Sequence, residues 1–349
     1  MNADPVSEAG APGASTVLVD IYGFQAEIRG SSPQVIEGLA ADFTHFRCQR
    51  VERPVVVELI EQEPPYDSAP PVRATVYTPR NISYRQGPLT YVDYSGRGLG
   101  IHNRREGSYR VYSLDSDLLY EAGYGFLVSQ MAEHLDARHL HRIHALGLSV
   151  AGHAVLVLLP MSGGKSTLAA ELLKYPEVQL LSDDAPLVDR HGTVHAFPLR
   201  LGLLPGSEGQ IPVEALRRVK RLEFGPKYLV NYRYFAHRVC AEAQPGLVFL
   251  GSRSLSRSCE IHPASLAAAT RAMITNCVVG MGLFHGLEFL LHSSVRELAG
   301  KTGVAWSRFR NSFRLLRRSQ LYHLVLGRET EENGRVLIEF LRRTYGLGG

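Results

Sequence analysis

The feature that most constrains the fold is an apolar run that leads through a loop of small residues into a helical pattern. Residues 154–159 are all apolar, which predicts a strand buried on both faces of a sheet. The loop occupies 160–164, and a helical pattern covers 167–173. A buried strand that turns directly into a helix is typical of sheets whose faces carry helices. The sequence therefore predicts an α/β fold around this segment.

The loop has the composition of a phosphate-binding turn. Small residues let the backbone curl so that its N–H groups point at phosphate oxygens, and the following helix adds its positive N-terminal end. Lys165 is placed to reach the β- and γ-phosphates of a nucleotide, and the Ser166 hydroxyl is a suitable Mg²⁺ ligand. The predicted nucleotide-binding residues of the loop are Ser162, Gly163, Gly164, Lys165, Ser166 and Thr167.

The loop departs from the full Walker A pattern at one position. GxxxxGK[ST] would have glycine where this chain has Leu159. A Gly-Lys-Ser turn that binds no nucleotide is the alternative interpretation. We favour the phosphate loop because strand, small residues, lysine, hydroxyl and helix occur together in the expected order.

Two adjacent carboxylates form the second signal. Asp183 and Asp184 follow the apolar strand predicted at 178–181, in the manner of a Walker B element. Side chains alternate along an extended chain, so one carboxylate can face a metal while its neighbour faces a substrate hydroxyl. Asp183 follows Lys165 by 18 residues, and one helix and one strand fill that gap. An Asp-Asp turn that caps the strand is the alternative.

The short spacing from Lys165 to the aspartates resembles the catalytic domain of HPr kinase/phosphorylase, which is related in fold to phosphoenolpyruvate carboxykinase. His144, 21 residues before Lys165, matches a histidine of that family. The resemblance implies that His144 lies beside Asp183 and tunes it, and that Asp183 is the general base. It also implies that Asp184 and Ser166 hold Mg²⁺ and that Lys165 acts in catalysis, with ATP as the phosphoryl donor.

A hairpin pattern at 188–200 follows the aspartates, as in that superfamily, and ends on a basic residue. Arg200 is therefore predicted as a phosphate clamp, with a surface arginine as the alternative. Lys220, Arg221 and Lys227 form a further basic cluster, for which a solvated loop is the favoured interpretation.

Composition shifts near residue 113 predict the domain organisation. Residues 1–15 are expected to be a disordered lead, and 16–113 a β-rich α+β module with one clear helix. Residues 114–349 are expected to form a P-loop kinase domain of the HPr kinase C-terminal type. The glycine-rich stretch 95–100 follows a strand but opens no helix, so a hairpin is predicted there instead of a dinucleotide loop.

The bulk composition excludes several classes of partner. The 349 residues carry a net charge of +4, with 45% hydrophobic and 21% charged residues, so neither nucleic acid nor an anionic membrane is expected. The four cysteines form no CxxC pair, and reduced thiols are expected. No signal-peptide pattern is found at the start, so a cytoplasmic location is expected.

Together these patterns predict an ATP- and Mg²⁺-dependent kinase that transfers the γ-phosphoryl group to a hydroxyl. The acceptor is expected to be serine of a protein or peptide, and the family resemblance implies a homo-oligomer. The glycine-rich signature that HPr kinases carry after the aspartates is absent, so a small-molecule acceptor stays open. Two further functions also stay open: a non-catalytic nucleotide-binding regulator, to which Leu159 points, and a nucleotide-hydrolysing switch.

Overall fold

The computed structural model describes residues 15–161, 163–203, 211–219, 227–278 and 295–347. The chain divides into two compact units, and the division falls between Val128 and Ser129. The described part of the first unit is 15–128, and the second begins at Ser129. The molecule is a mixed α/β protein with large sheets and several helices. The division lies inside a long helix, whereas the composition shift placed the domain boundary before it.

The first unit is built on an eight-stranded sheet with the order β1-β2-β3-β8-β7-β6-β5-β4. Its strands are β1 (Ser15–Ile21), β2 (Phe24–Gly30), β3 (Val55–Ile60), β4 (Ala74–Tyr77), β5 (Ile82–Gln86), β6 (Leu89–Asp93), β7 (Leu99–Asn103) and β8 (Ser108–Tyr112). The pairs β2–β3 and β3–β8 are parallel, and the other neighbours are antiparallel.

Two helices supply apolar residues for the core of this sheet. They are α1 (Pro33–Asp42) and α2 (Ser116–Ala137). Burial alternates along β1, β2 and β3, so that one face of each strand lies in the core. Tyr109 of β8 is fully buried and stacks on Phe126 of α2, with ring centroids 4.0 Å apart. Up to residue 113 this unit contains the eight strands and α1, and α2 follows as a second helix.

The glycine-rich stretch at 95–100 is confirmed as a hairpin. It joins β6 to β7, with Asp93 opposite Leu99 and Leu89 opposite Asn103. Gly96 has φ +77°, a left-handed value that favours glycine in a tight turn. The sequence pattern predicts strands at 16–22, 24–28, 55–60, 73–77 and 89–94. It does not predict β5, β7 and β8, because short strands with mixed polar residues have no clear period of two.

The second unit contains a nine-stranded sheet, whose main path is β12-β10-β11-β18-β14-β13-β9. Its strands are β9 (His141–Arg142), β10 (Leu146–Val150), β11 (His153–Leu158), β12 (Val178–Ser182), β13 (Leu187–Val188), β14 (Val194–His195), β18 (Glu242–Arg253), β19 (Glu260–Pro263) and β20 (Gln320–Leu326). β20 pairs with β18 and β19, and a separate three-stranded sheet has the order β15-β17-β16. Its strands are β15 (Leu201–Leu203), β16 (Leu216–Val219) and β17 (Lys227–Val230).

Both faces of the central strand β11 are buried, as its apolar sequence predicts. Val155 and Val157 belong to one core cluster, and Leu156 and Leu158 belong to a second. The helices of this unit are α3 (Lys165–Leu172), α4 (Tyr232–Phe235), α5 (Leu266–Met273), α6 (Val295–Arg317) and α7 (Thr330–Tyr345). Residues of α3 and α7 pack in the first cluster, and residues of α5 and α6 pack in the second. Helices thus cover both faces of the sheet.

From residue 263 onward the sequence pattern is mainly helical and predicts helices at 266–278, 284–298, 304–318 and 334–345. The described part contains α5, α6 and α7, but also strand β20, which the pattern does not predict. The segment predicted at 266–278 is α5 followed by a π-helical turn, Ile274–Val278. Most of the helix predicted at 284–298 lies outside the described residues. Within the part of the chain that is described, no helix is long and apolar enough to cross a membrane.

Candidate functional site

The loop between β11 and α3 has a backbone that requires glycine at two positions. Gly164 is the N-cap of α3 and has φ +96°, which L side chains rarely adopt. A β-carbon on Gly163 would lie 2.8 Å from the carbonyl oxygen of Pro160, closer than normal packing permits. The loop thus needs both glycines that the motif supplies. Ser162, also predicted as a loop residue, lies outside the described residues.

Leu159 anchors the start of the loop in the core. Its side chain is 1% exposed and belongs to the cluster that contains Val155 and Val157. Gly251 of the neighbouring β18 makes room for it, because a β-carbon there would lie 2.5 Å from Cδ2 of Leu159. The leucine that replaces the first Walker A glycine therefore points into the core. This position holds the loop to the sheet.

Sheet topology brings the separate sequence motifs to one edge. β10 is antiparallel to both β11 and β12, so β11 and β12 end at the edge where β10 begins. The phosphate loop follows β11, Asp183 follows β12, and His144 precedes β10. Residues far apart in sequence therefore converge because three adjacent strands have alternating directions.

Lys165 is buried at this edge and its ammonium group has three close acceptors. Nζ lies 2.9 Å from the carbonyl oxygen of Leu159, 3.3 Å from that of Pro160 and 2.9 Å from Nε2 of His144. Burial lowers the pKa of Lys165, and the charges of Asp184 and Asp183 oppose this change. A donated hydrogen bond from Lys165 makes Nε2 of His144 the acceptor, so Nδ1 carries the proton of a neutral ring.

That protonated nitrogen faces Asp184. Nδ1 of His144 lies 3.2 Å from Oδ1 of Asp184, although the pair does not meet hydrogen-bond geometry, and Nζ of Lys165 lies 3.6 Å from the same oxygen. Burial raises the pKa of Asp184, but His144, Lys165 and Lys227 outweigh it and hold that pKa below its ordinary value. Half of the carboxylate side chain is exposed. Asp184 is thus an ionised and accessible carboxylate.

The expectation that His144 lies beside Asp183 is corrected by this geometry. The backbone N–H of Ala145 donates to the carbonyl oxygen of Asp184 over 3.2 Å. This bond aligns residues 144–145 with Asp184, and its neighbour Asp183 makes its contacts elsewhere. Pairing between the start of β10 and the end of β12, which spacing along the chain does not encode, decides which aspartate meets the histidine.

Asp183 is buried and contacts the phosphate loop. Ser166 donates through Oγ to Oδ2 over 3.3 Å, and the backbone N–H of Gly202 also donates to the carboxylate. Burial and the neighbouring charge of Asp184 raise the pKa of Asp183 to about 7, against the opposing effects of Lys227, Ser166 and Gly202. The two adjacent aspartates therefore have pKa values shifted in opposite directions.

The two remaining predicted site residues are Thr167, which follows Ser166, and Arg200, which lies two residues before Gly202. Thr167 follows Ser166 in the first turn of α3 and is partly exposed. Arg200 immediately precedes β15 and is also partly buried. Gly202, the residue that donates to Asp183, stands two positions later. The segment that carries Arg200 therefore reaches the site, in agreement with the predicted hairpin β13–β14 before it.

Arg253 was missed by sequence reasoning. It is the last residue of β18, the parallel neighbour of β11, so both strands end at the same edge. A β-carbon on Gly164 would lie 3.1 Å from Nη1 of Arg253, so the guanidinium covers the loop. Its Nη2 donates to the carbonyl oxygen of Gly327 over 3.3 Å. A basic residue at a strand end was the available signal, but strand adjacency was needed to interpret it.

Lys227, a member of the predicted basic cluster, lies at the site. It begins β17, next to Gly202 of β15, and its charge acts on Asp183, Asp184 and Lys165. It is therefore a second cation beside the carboxylates, and the solvated-loop interpretation is wrong for this lysine. Lys220 and Arg221 lie outside the described residues.

The oxygen atoms at this edge fit a magnesium ion. Ser166 supplies a hydroxyl, and Asp183 and Asp184 supply carboxylates. Among the described residues, no group of three or more His, Cys, Asp or Glu side chains could hold a metal by itself. Mg²⁺ usually takes one or two carboxylates and completes its shell with water and substrate phosphates. The hydroxyl and the carboxylates are therefore oxygen ligands of the kind that Mg²⁺ binds.

No family model matches the sequence, and no curated protein matches it significantly.

Proposed function

We propose that this protein is a Mg²⁺- and ATP-dependent kinase that transfers the γ-phosphoryl group to a hydroxyl. One observation carries the proposal. A glycine-dependent loop presents Lys165 and Ser166 within contact distance of two carboxylates whose pKa values are shifted in opposite directions. Opposed shifts in neighbouring acids are typical of sites in which one acid stays charged and the other exchanges a proton.

The loop and Lys165 would bind the phosphates. Backbone N–H groups at the start of α3 favour anions, and the lysine adds a positive charge. Lys165 already has acceptors for all three ammonium hydrogens, so a phosphate oxygen would replace at least one of them. Arg253 lies over Gly164 and would add a second donor to the phosphates, while Arg200 is a third candidate from the β15 side.

The two aspartates would divide the remaining work. Ser166 and Asp184 are the proposed Mg²⁺ ligands, and the ion would neutralise charge on the phosphates. Asp183 is the proposed general base, because a pKa of about 7 lets its carboxylate accept a proton from the acceptor hydroxyl near neutral pH. His144 would orient Asp184 through Nδ1 and receive a hydrogen bond from Lys165 through Nε2.

We propose serine of a protein or peptide as the acceptor, and the cytoplasm, where ATP is available, as the location. The resemblance to the HPr kinase-like P-loop fold supports both, and the first unit would help to select the acceptor. A small-molecule hydroxyl acceptor is the second candidate. The case for a non-catalytic regulator rested on Leu159, and the burial of that side chain in the core weakens it.

Calorimetric titration with Mg·ATP tests the loop. Wild-type protein is expected to bind in a Mg²⁺-dependent manner, and Lys165→Ala to bind about a hundredfold more weakly because charge-assisted hydrogen bonds are lost. Lys174→Ala is the matched control, since Lys174 is a partly exposed lysine that pairs with Glu171 on the same segment. Folded wild-type protein that binds no Mg·ATP would overturn the proposal.

A further inference from the structure

A second, partly buried polar network lies in the same unit, next to the segment that carries His144. Asp136 at the end of α2 accepts two hydrogen bonds from Arg308 of α6, Nε to Oδ1 over 3.1 Å and Nη2 to Oδ2 over 2.5 Å. Nδ1 of His141 lies 2.8 Å from Oδ1 of Asp136. Oγ of Ser307 lies 2.8 Å from Nε2 of His141 and 2.9 Å from Nδ1 of His139.

The hydrogen bonds that Asp136 receives have a defined direction. Burial raises the pKa of Asp136, but His141 and Arg308 outweigh it, so the carboxyl is ionised and can only accept. Nδ1 of His141 therefore donates to Asp136. The Ser307 hydroxyl contacts both Nε2 of His141 and Nδ1 of His139. His141 is fully buried and held at both ring nitrogens, which fixes the start of β9.

The network reaches His144 through the π-helical turn Ile274–Val278. Arg308 donates from Nη1 to the carbonyl oxygen of Cys277 over 3.4 Å. The preceding carbonyl, that of Asn276, accepts from the backbone N–H of His144 over 2.9 Å. His141 is also only three residues before His144 in the chain. Arg308 and His141 therefore hold the backbone of His144 from two sides.

We propose that Arg308, with Asp136, His141 and Ser307, is a positioning unit for His144. The proposal rests on the proposed kinase function, since it assigns these residues a role in the same site. The unit sets the backbone of His144 so that Nε2 meets Lys165 and Nδ1 faces Asp184. None of its members touches the reacting atoms, and their effect on the chemistry passes through the His144 ring.

The first test reads the His144 ring directly and needs no activity. In ¹⁵N-histidine-labelled protein, with the signal assigned by His144→Gln, wild type is expected to show one neutral tautomer with a protonated Nδ1. Arg308→Gln is expected to convert it to a mixture of tautomers, and Ser307→Ala to do so more weakly. Arg342→Gln is the matched control, because Arg342 forms a comparable pair with Glu177 over 2.7 Å on α7. An unchanged His144 signal in both test variants would overturn the proposal.

The second test separates this proposal from the kinase function. Arg308→Gln is expected to lower kcat about tenfold, the lower end of effects seen for partners that orient functional groups, while KM for Mg·ATP changes little. Arg308→Lys, which keeps the charge, is expected to recover part of kcat. If wild type binds no Mg·ATP, the kinase proposal fails while the His144 spectrum still decides positioning. A loss in Arg308→Gln that appears only in KM would contradict the proposed role.

Discussion

The site cluster and the positioning network are built from the same residue types, but they differ in how well the surroundings stabilise the charged side chains. Each contains aspartate, histidine, serine and a cation: Asp184, His144, Ser166 and Lys165 in one, and Asp136, His141, Ser307 and Arg308 in the other. In the second, Asp136 has a lowered pKa and Arg308 a raised one, so both charges are stabilised. In the first, Asp184 also has a lowered pKa, but Lys165 has a lowered one as well, and Asp183, which contacts Ser166, has a raised one.

This difference teaches where to look for chemistry. A buried pair that is fully hydrogen-bonded keeps its charges over a wide pH range and can fix a backbone. In a cluster where burial destabilises the charged forms, a side chain can exchange a proton, or a bound ligand of opposite charge can stabilise it. The presence of an Asp-His-Ser arrangement alone therefore does not identify the reactive site, but the direction of the pKa shifts separates the two clusters.

The largest expected effect tests the chemical role of the site cluster. Asp183→Asn is expected to reduce phosphoryl transfer about a thousandfold, because an amide cannot accept the proton, while Mg·ATP binding is kept. Mg²⁺-dependent ADP formation with serine-containing peptides measures this. The wild-type rate should increase as the pH rises through about 7, where Asp183 ionises.

Asp189→Asn is the control for that experiment, since Asp189 is a partly buried aspartate whose contacts lie within its own turn and with His195. Full turnover in Asp183→Asn would remove the general base from the proposal. It would leave a site that binds and hydrolyses nucleotide without a proton acceptor at this position.

Asp136→Asn should have the second largest effect, on stability. Removing one charge of the pair leaves the largely buried Arg308 without its carboxylate, which should lower the free energy of unfolding by about 3 kcal/mol. Urea denaturation at pH 7 measures the change. Glu177→Gln, which breaks the more exposed pair with Arg342, should cost less. A smaller loss in Asp136→Asn than in Glu177→Gln would remove the contrast between a satisfied and an ordinary ion pair.

Asp183→Asn should increase stability, whereas Asp136→Asn should decrease it. A folded-state pKa raised to about 7 means that the stability contributed by this carboxyl is present below its ordinary pKa and is lost as the pH rises through about 7. At pH 8 the neutral amide should therefore increase the free energy of unfolding, by about 2 kcal/mol. At pH 5, which lies between the ordinary pKa and about 7, the increase should be clearly smaller. Thermal melting at both pH values is the measurement, and equal shifts at the two would refute a buried, unrelieved charge.

Arg253→Ala should give the smallest effect of this series. The guanidinium is exposed and covers the loop from β18, so its loss should weaken Mg·ATP binding about tenfold, as for one charge-assisted hydrogen bond. Arg257→Ala is the control, because Arg257 is largely exposed and lies 3.9 Å from Glu329. Equal affinity in both variants would restrict the phosphate contacts to the loop and Lys165.

The local features of the site were predictable from the sequence. The apolar run before Leu159 forms β11, Gly164 ends the turn, Lys165 begins α3, and Asp183 follows β12. These features depend on burial of continuous apolar segments, on the backbone freedom of glycine and on short spacings. All three are properties of a few neighbouring residues, so they can be read without knowing the rest of the fold.

Contacts between distant segments required the tertiary structure. The alignment of Ala145 with Asp184 decided that His144 meets Asp184, and the pairing of β11 with β18 decided that Arg253 covers the loop. The fit of Leu159 against Gly251 and the network around Asp136 arose in the same way. Spacing along the chain limits which groups can approach, but strand order and register decide which do, and the pKa shifts depend on burial that only the packed unit creates.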